Sequence, residues 1–474
     1  MYSKNMYDII IIGAGSGGLN IAVFMVKSGF RVLLIDTDEK NIGGDCLNRG
    51  CVPSKSFIHI AREVATARNV EKYGIVGMGH VDLSSVMKEV HQKIELIRTH
   101  ENVEYFRNMG MDVVLGKASF VGKQDVKVGD TVYQGKKIVI ATGSRPRQLV
   151  VEGVEKAHMV TNENVFELAV LPKQLVVIGV GPIGIELGQA FLMLGSSVTF
   201  VGNESRILPR EREEYADVLY KKMIQQGAKF VFMSDIVRIN NGTTLVIKNK
   251  NTQKESFVFF DTALVAIGRQ LTIDTLGLEH AGIETEKGKI VVNEYLQTTN
   301  KNVYLCGDIA GGYQFTHAAE LHATVLLNNF FNPFKKKLSY DTFSWVTYTT
   351  PELATFGLTE EELTKRGIMY EKMVTSFVDD DRAITSETVE GKSEVYVDSR
   401  SKVILGGTMV AHNAGELIQE LVLAMSARLS IRELFNKIYP YPTATRINKK
   451  LVSDYFKKSF TEGKKRILRI LYKV

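Results

Sequence analysis

The feature that most restricts the fold of this 474-residue chain is a unit that occurs twice. In the first copy the apolar run Tyr7 to Ile12 meets a turn holding Gly13, Gly15 and Gly18. A helical pattern, LNIAVFMVKSG, follows, and a second apolar run, FRVLLID, ends at Asp36. Strand, glycine turn, helix and strand within about thirty residues is the plan of a parallel βαβ unit. Its glycines serve a tight turn, a close approach of backbone to pyrophosphate, and close packing of helix on sheet. Asp36 suits the hydroxyls of an adenosine ribose. The second copy, KQLVVIGVGPIGIELGQAFLMLGSSVTFVG, carries Gly179, Gly181 and Gly184 at the same spacing, with Gly202 where the first copy has Asp36. The chain is therefore expected to bind two dinucleotides. An acid at position 202 would accept from the ribose of NADH and repel the 2′-phosphate of NADPH. Its absence, with Arg206 four residues on, tilts the second site toward NADPH rather than NADH, although Glu204 could supply a carboxylate from a shifted turn.

The rest of the chain fits around these units. KKIVIATGSRP reads as a strand ending in a tight turn at Gly143, and DTALVAIGRQ as another ending at Gly268; both are expected to cross between domains. TTNKNVYLCGDIAGG reads as a buried strand ending in Gly307 and Asp308, an acid at a strand C-terminus where ligands of open α/β sheets collect. Cys306 there reads as a small buried hydrophobe. From Tyr340 the pattern changes to alternating strands, in WVTYTTPELATFGL, KSEVYVDS and VILGGTMVAHNA, with the helix AGELIQELVLAMSARL behind them. The expected fold is α/β, with two Rossmann-like dinucleotide-binding domains and a C-terminal α+β domain. Residues 1–150 and 270–339 form the first, 151–269 the second and 340–474 the third.

Cys46 and Cys51 lie in GGDCLNRGCVPSK, and the only other cysteine is Cys306. In a regular helix a five-residue step separates Cα atoms by about 8 to 9 Å, beyond the roughly 7 Å reach of a disulfide. The pair closes only if the segment bends. Gly50 allows the bend, and Pro53 suits the first turn of a following helix. A thiol at a helix start has a lowered pKa and leaves a disulfide readily. Two unrelated buried thiols would be the plainer reading; half a zinc site is disfavoured, because no further cysteine is near and His59 has no partner at ligand spacing. Three cysteines in so long a chain are not a secreted disulfide framework, and a net charge of +6 is too mild to imply nucleic acid. DIIIIGAGSGG lacks the basic start and cleavage site of a signal peptide, and no run approaches a membrane span. The expected location is cytoplasmic. The tail, Lys457 to Val474, has seven basic residues against one Glu, with Ile467, Ile470, Leu471 and Val474 on one helical face. It suits peripheral contact with the inner face of an anionic membrane, or a solvated or dimer-packed helix.

Taken together, the cysteine segment, the two glycine turns, ATG at 141–143, AIGR at 266–269 and CGD at 306–308 resemble, in order and over nearly the full length, the pyridine nucleotide-disulfide oxidoreductase family. These flavoproteins include dihydrolipoamide dehydrogenase, glutathione reductase and mercuric reductase. The resemblance implies FAD on the first unit, with Gly13, Gly15, Gly18, Asp36 and Asp308 as contacts, NAD(P)H on the second, and a homodimer through the C-terminal domain. It also implies that Cys51 is the flavin-facing charge-transfer thiolate, that Cys46 exchanges with substrate, and that Lys55 pairs with Glu186 near the flavin.

One departure bears on the acceptor. Members that use dithiols or disulfides carry His-Pro-Thr-x-x-Glu near the C-terminus, the histidine serving as acid/base. Here the segment is Tyr441-Pro442-Thr443-Ala444-Thr445-Arg446. Mercuric reductases also have a tyrosine on this loop, but their extra C-terminal cysteine pair and N-terminal CxxC module are missing from this chain. The expectation is an electron acceptor that is a metal ion, a quinone or another small oxidant. Dihydrolipoamide dehydrogenase-like activity and a catalytically idle flavoprotein that senses nucleotide or binds a partner are the alternatives. Retention of Cys46, Cys51, Lys55 and Glu186 argues against the idle form.

Overall fold

The computed structural model describes residues 6–76, 79–458 and 461–472. Both glycine-turn units fold into the same parallel arrangement. In the first, strands run in the order Asp112–Leu115, Val32–Asp36, Met6–Ile12, Thr131–Ile140, with Val303–Leu305 parallel to the end of the last. In the second the order is Lys229–Val231, Ser197–Val201, Gln174–Ile178, Thr262–Val265, Met159–Val160. The central strands are apolar without alternation because both of their faces are covered, as parallel sheets require; Ile9 to Ile12 and Leu175 to Ile178 are all buried.

Before its fourth strand each unit makes an antiparallel excursion. Ala118–Phe120 and Asp125–Val128 pair onto Thr131–Ile140, while Ser234–Asn240, Thr244–Asn249 and Glu255–Phe259 form a separate sheet. Neither excursion stands out in the sequence. The strands of the first are three and four residues long, and in the second the buried run Leu245 to Ile247 is only three residues long, between strands that are partly exposed. The turns at Gly143 and Gly268 lead into Ser144–Pro146 and Arg269–Leu271, which pair antiparallel with each other. The two expected crossings thus lie side by side.

Beyond them a five-stranded antiparallel sheet has the order Ser344–Thr347, Glu352–Gly357, Ile404–Ala411, Lys392–Asp398, Tyr370–Ser376. The last is an edge strand without a sequence signal, half exposed. The helix expected behind this sheet is two, Ala414–Leu417 and Gln419–Ser426, meeting at Ile418. Arg446–Lys458 closes this core with Ile447, Leu451 and Val452, and a final helix spans Glu462–Tyr472. Among the described residues no helix is long and apolar enough to cross a membrane.

Candidate active site

The first glycine turn forms one wall of a cavity of about 900 Å³ that runs from Asp36 to the cysteines. The Gly13 N–H donates to Ile35 O (2.8 Å), and its φ is 108°. A side chain there would begin 2.4 Å from Ala141 O, and one on Gly18 would begin 2.1 Å from Gly13 O. The turn therefore presents bare backbone at the start of the helix Ser16–Lys27, where N–H groups favour an anion. Asp36, at one end, accepts from the N–H of Ala14 and of Thr37, each at 2.7 Å. Gly143 and Asp308 line the cavity farther along. Burial pushes the Asp308 carboxyl up, against the hydrogen bond from Ser144 and the charge of Arg269. A side-chain-free cradle with an acid at each end fits an extended dinucleotide such as FAD.

Cys46 sits in the short helix Gly44–Asn48, and Cys51 opens the helix Cys51–Arg68. The expected bend lies between them. Gly50 makes it with a negative φ of −121°, and its glycine identity is required by space: a side chain would begin 2.8 Å from Asp45 O. The bend lets the thiols meet as a hydrogen-bonded pair. Cys51 is exposed to the cavity although it lies deep in the fold. Its pKa is lowered to about 6, first by the hydrogen bond from Cys46, then, against desolvation, by Thr316 and the charge of Lys55. The Thr316 hydroxyl lies 3.3 Å from Cys51 Sγ. Cys46 is pushed up by donating that hydrogen bond, by burial and by the neighbouring thiolate charge. One thiolate and one thiol is the arrangement this environment favours.

Lys55 stands one turn beyond Cys51. Its Nζ is 2.9 Å from Glu186 Oε2 and 4.5 Å above the Tyr348 ring, while Glu186 Oε1 accepts from the Tyr348 N–H (2.8 Å). Desolvation works against the ammonium, but Glu186 and the Cys51 thiolate outweigh it and its pKa rises. The pair joins a helix of the first unit to the helix Pro182–Leu194 of the second. Of two arginines on the cysteine helix, Arg68 holds the same joint, donating to Met193 O and Leu194 O (2.7 and 2.8 Å), while Arg62 ties the helix to the C-terminal region, donating to Thr349 O (2.7 Å) and Glu352 (3.1 Å).

Arg269, Ser144 and Thr316 are among the residues that join the site without having been singled out from sequence. Arg269, the last residue of AIGR, is ion-paired with Asp45 beside Cys46 and donates to Ser144 Oγ (2.7 Å), whose hydroxyl in turn donates to Asp308. The third is Thr316. The AIGR motif was the only signal for Arg269; nothing in the chain near Thr316, 265 residues from Cys51, announces that contact.

The second glycine turn repeats the first. Gly179 N–H donates to Val201 O (2.8 Å) with φ 112°, and side chains on Gly179 and Gly184 would begin 2.3 and 2.5 Å from backbone oxygens. Gly181, at the start of Pro182–Leu194, faces open space, and Gly268 turns the crossing with φ 106°. Two expected residues stand apart. Arg206 is turned onto its own loop, donating to the carbonyls of Leu208 (3.0 Å), Pro209 (2.8 Å) and Glu211 (2.7 Å). A guanidinium so engaged is not aimed at a 2′-phosphate, which weakens the reason for tilting toward NADPH. Tyr441 is exposed in a small pocket away from the cysteines, its OH donating to Asp381 (3.1 Å) and Arg446 5.2 Å from its ring. The hydrogen bond to Asp381 and that residue's charge raise the phenol pKa, and Arg446 does not offset them.

Residues 7–323 match the family model for pyridine nucleotide-disulphide oxidoreductases, and residues 343–451 match the dimerisation domain of the same family. The chain is 31% identical to a mercuric reductase of Lysinibacillus sphaericus, over 94% of this chain and 81% of that one. It is 32% identical to dihydrolipoyl dehydrogenase 3 of Pseudomonas putida, over 92% and 95%. Among solved structures it resembles the HOCl-induced flavoprotein disulfide reductase RclA from Escherichia coli in its Cu(II) complex, with a TM-score of 0.84 and 26% identity over 95% of this chain and 99% of that one.

Proposed function

The chain belongs to the pyridine nucleotide-disulphide oxidoreductase family, enzymes dependent on FAD and NAD(P)H, and from that premise we propose an acceptor that needs no side-chain base, a soft metal ion or a quinone. In this reading residues 1–150 and 270–339 hold FAD, 151–269 hold NAD(P)H, and 340–474 join two copies into a homodimer. Bound FAD supplies two-electron transfer between nicotinamide and the cysteine pair.

Gly13, Gly15 and Gly18 bring backbone against the pyrophosphate, while Asp36 and Asp308 hold polar groups at either end. Gly179, Gly181 and Gly184 do the same for the nicotinamide dinucleotide. Lys55, fixed by Glu186, and Thr316 keep Cys51 as a thiolate. Cys46 meets the acceptor. When the pair gives up two electrons one S–S bond forms, the acceptor gains both electrons, and the Cys46 proton is released. A soft metal ion removes the need for a base, because a thiol that coordinates it loses its proton outright. A dithiol substrate lacks that help and must be deprotonated by the protein.

The observation that carries this reading is Tyr441. It stands where dithiol-using members have histidine, its OH is held by Asp381, and its ionisation is made harder. Within one chain it lies outside the cavity, so a role at the cysteines requires a second copy to present it. A mercuric reductase relative and a similar reductase solved as a Cu(II) complex support a metal acceptor. The test is anaerobic reduction by NADPH or NADH followed by a panel of acceptors. Quinone or soft-metal turnover well above dihydrolipoamide turnover is expected; the reverse order overturns the reading in favour of a dihydrolipoamide dehydrogenase.

A further inference from the structure

The final helix, Glu462–Tyr472, contributes no buried residue to the fold. Ile467, Leu468, Ile470 and Leu471 are 58%, 48%, 60% and 63% exposed. Their spacing at three and four residues gathers them on one face. Lys465 and Arg469 lie opposite, Arg466 flanks the apolar strip, and Lys464 sits at its N-terminal end, where its aliphatic stem can follow the strip while the ammonium reaches outward. From Asp454 to Tyr472 the chain has six basic residues, Lys457, Lys458, Lys464, Lys465, Arg466 and Arg469, and two acidic ones. Asp454 pairs with Lys457 (3.0 Å) and Glu462 with Lys465 (2.7 Å); among the described residues no carboxylate pairs with the other four. The helix before it behaves oppositely, burying Ile447, Leu451 and Val452 in the domain core.

We infer that Glu462–Tyr472 docks this protein on the surface of an anionic lipid bilayer. Eleven residues span about 16 Å, too short to cross a hydrocarbon core but enough to lie in the headgroup region with the aliphatic strip inward. The flanking cations supply the second contribution that stable surface binding needs, attraction to anionic headgroups. Charge chooses this occupant over a second copy of the chain. Two such tails would bring like charges together, whereas an anionic surface complements them. The region that matches the dimerisation domain also ends at residue 451, before the helix starts. A nucleic acid would satisfy the cations but leave the four aliphatic side chains in water.

The test is cosedimentation of the full FAD-loaded chain with vesicles of phosphatidylglycerol and phosphatidylcholine, beside vesicles of phosphatidylcholine alone. Binding to the anionic vesicles is expected to be at least about tenfold stronger, and to be lost near 1 M salt, where the screening length falls to about 3 Å. Ile467→Glu with Leu471→Glu, and separately removal of residues 462–474, should abolish it while leaving acceptor reduction unchanged. Equal binding by the doubly substituted chain overturns the inference, as does equal binding to both vesicle types. A deletion that converts dimer to monomer in analytical sedimentation overturns it in favour of a second copy. Binding to duplex DNA that exceeds binding to anionic vesicles overturns it in favour of nucleic acid. None of these outcomes depends on which acceptor the enzyme reduces.

Discussion

The two glycine turns solve one steric problem with the same bonds and then face different surroundings. Gly13 and Gly179 each donate to the end of the neighbouring strand at 2.8 Å, and Ala141 and Ala266 each close the next strand onto the turn at 2.7 Å. Past that point they diverge. In the first turn a side chain on Gly15 would begin 3.6 Å from Gly44 Cα, and one on Gly44 only 2.6 Å from Gly15 Cα, so the cysteine segment packs directly on the turn, and its second strand ends in an acid. The second turn has Gly181 open and ends in Gly202. The two units share what the backbone requires and differ in the side chains around it, which supports the proposed division: one unit for a resident cofactor beside the cysteine pair, the other for a nucleotide that must leave.

If that division is right, the largest effect comes from the first unit. Cys51→Ser should reduce NAD(P)H-dependent acceptor turnover to background and abolish the long-wavelength absorbance band expected on two-electron reduction. A band that survives means that Cys51 is not the inner thiolate. The band should also titrate. With a thiol pKa lowered to about 6, the thiolate is present through neutral and alkaline pH and is lost as pH falls below 6.

The joint between the units comes next. Lys55→Met removes the cation facing Cys51 and leaves Glu186 without its partner. Loss of a nearby opposite charge shifts a pKa by about 1 to 3 units. A rise of about two units from 6 leaves roughly a tenth of the protein as thiolate at pH 7, so about tenfold slower acceptor reduction is expected, recovered at alkaline pH. A loss that does not recover with pH would make Lys55 structural only.

The nucleotide site is a smaller test. Gly202→Glu places a carboxylate at the position of Asp36 and should move preference toward NADH by about tenfold, equivalent to about 1.4 kcal/mol. Val180, 2.9 Å from where the new side chain begins, must shift to admit it. Since Arg206 is committed to its own loop, Arg206→Ala should change nucleotide preference little and stability more. A large loss of NADPH preference on that substitution would mean that Arg206 leaves its loop to bind phosphate.

What was legible in the sequence is what repeats or what bends. Gly13, Gly18, Gly179 and Gly184 announced both turns because no side chain fits there, and the five-residue cysteine spacing announced the bend at Gly50. Lys55 and Glu186 came from resemblance and lie in contact at 2.9 Å. Thr316 was illegible because its neighbourhood is made by helix packing across most of the chain. The loop contacts of Arg206 were illegible because an arginine in sequence shows its charge but not the carbonyls it turns toward. The edge strand Tyr370–Ser376 escaped because an edge alternates weakly and needs no apolar run.

The smallest expected effect tests whether anything outside the two units shares in the chemistry. A positioned base contributes about 10²- to 10⁴-fold. A phenol with an ordinary pKa near 10 is ionised in about one molecule in a thousand at neutral pH, and the hydrogen bond to Asp381 moves Tyr441 further from ionisation. Tyr441→Phe should therefore leave quinone reduction within about twofold of the native rate, far from the loss a base would cause. A metal acceptor held by the phenol oxygen would instead show a clear loss with the same substitution, and Asp381→Ala, which removes the acceptor of the phenol's hydrogen bond, should then strengthen metal turnover. Dihydrolipoamide turnover comparable to quinone reduction and sensitive to Tyr441→Phe would show that tyrosine replaces the histidine after all, and that the C-terminal domain, not only the two glycine-turn units, carries part of the reaction.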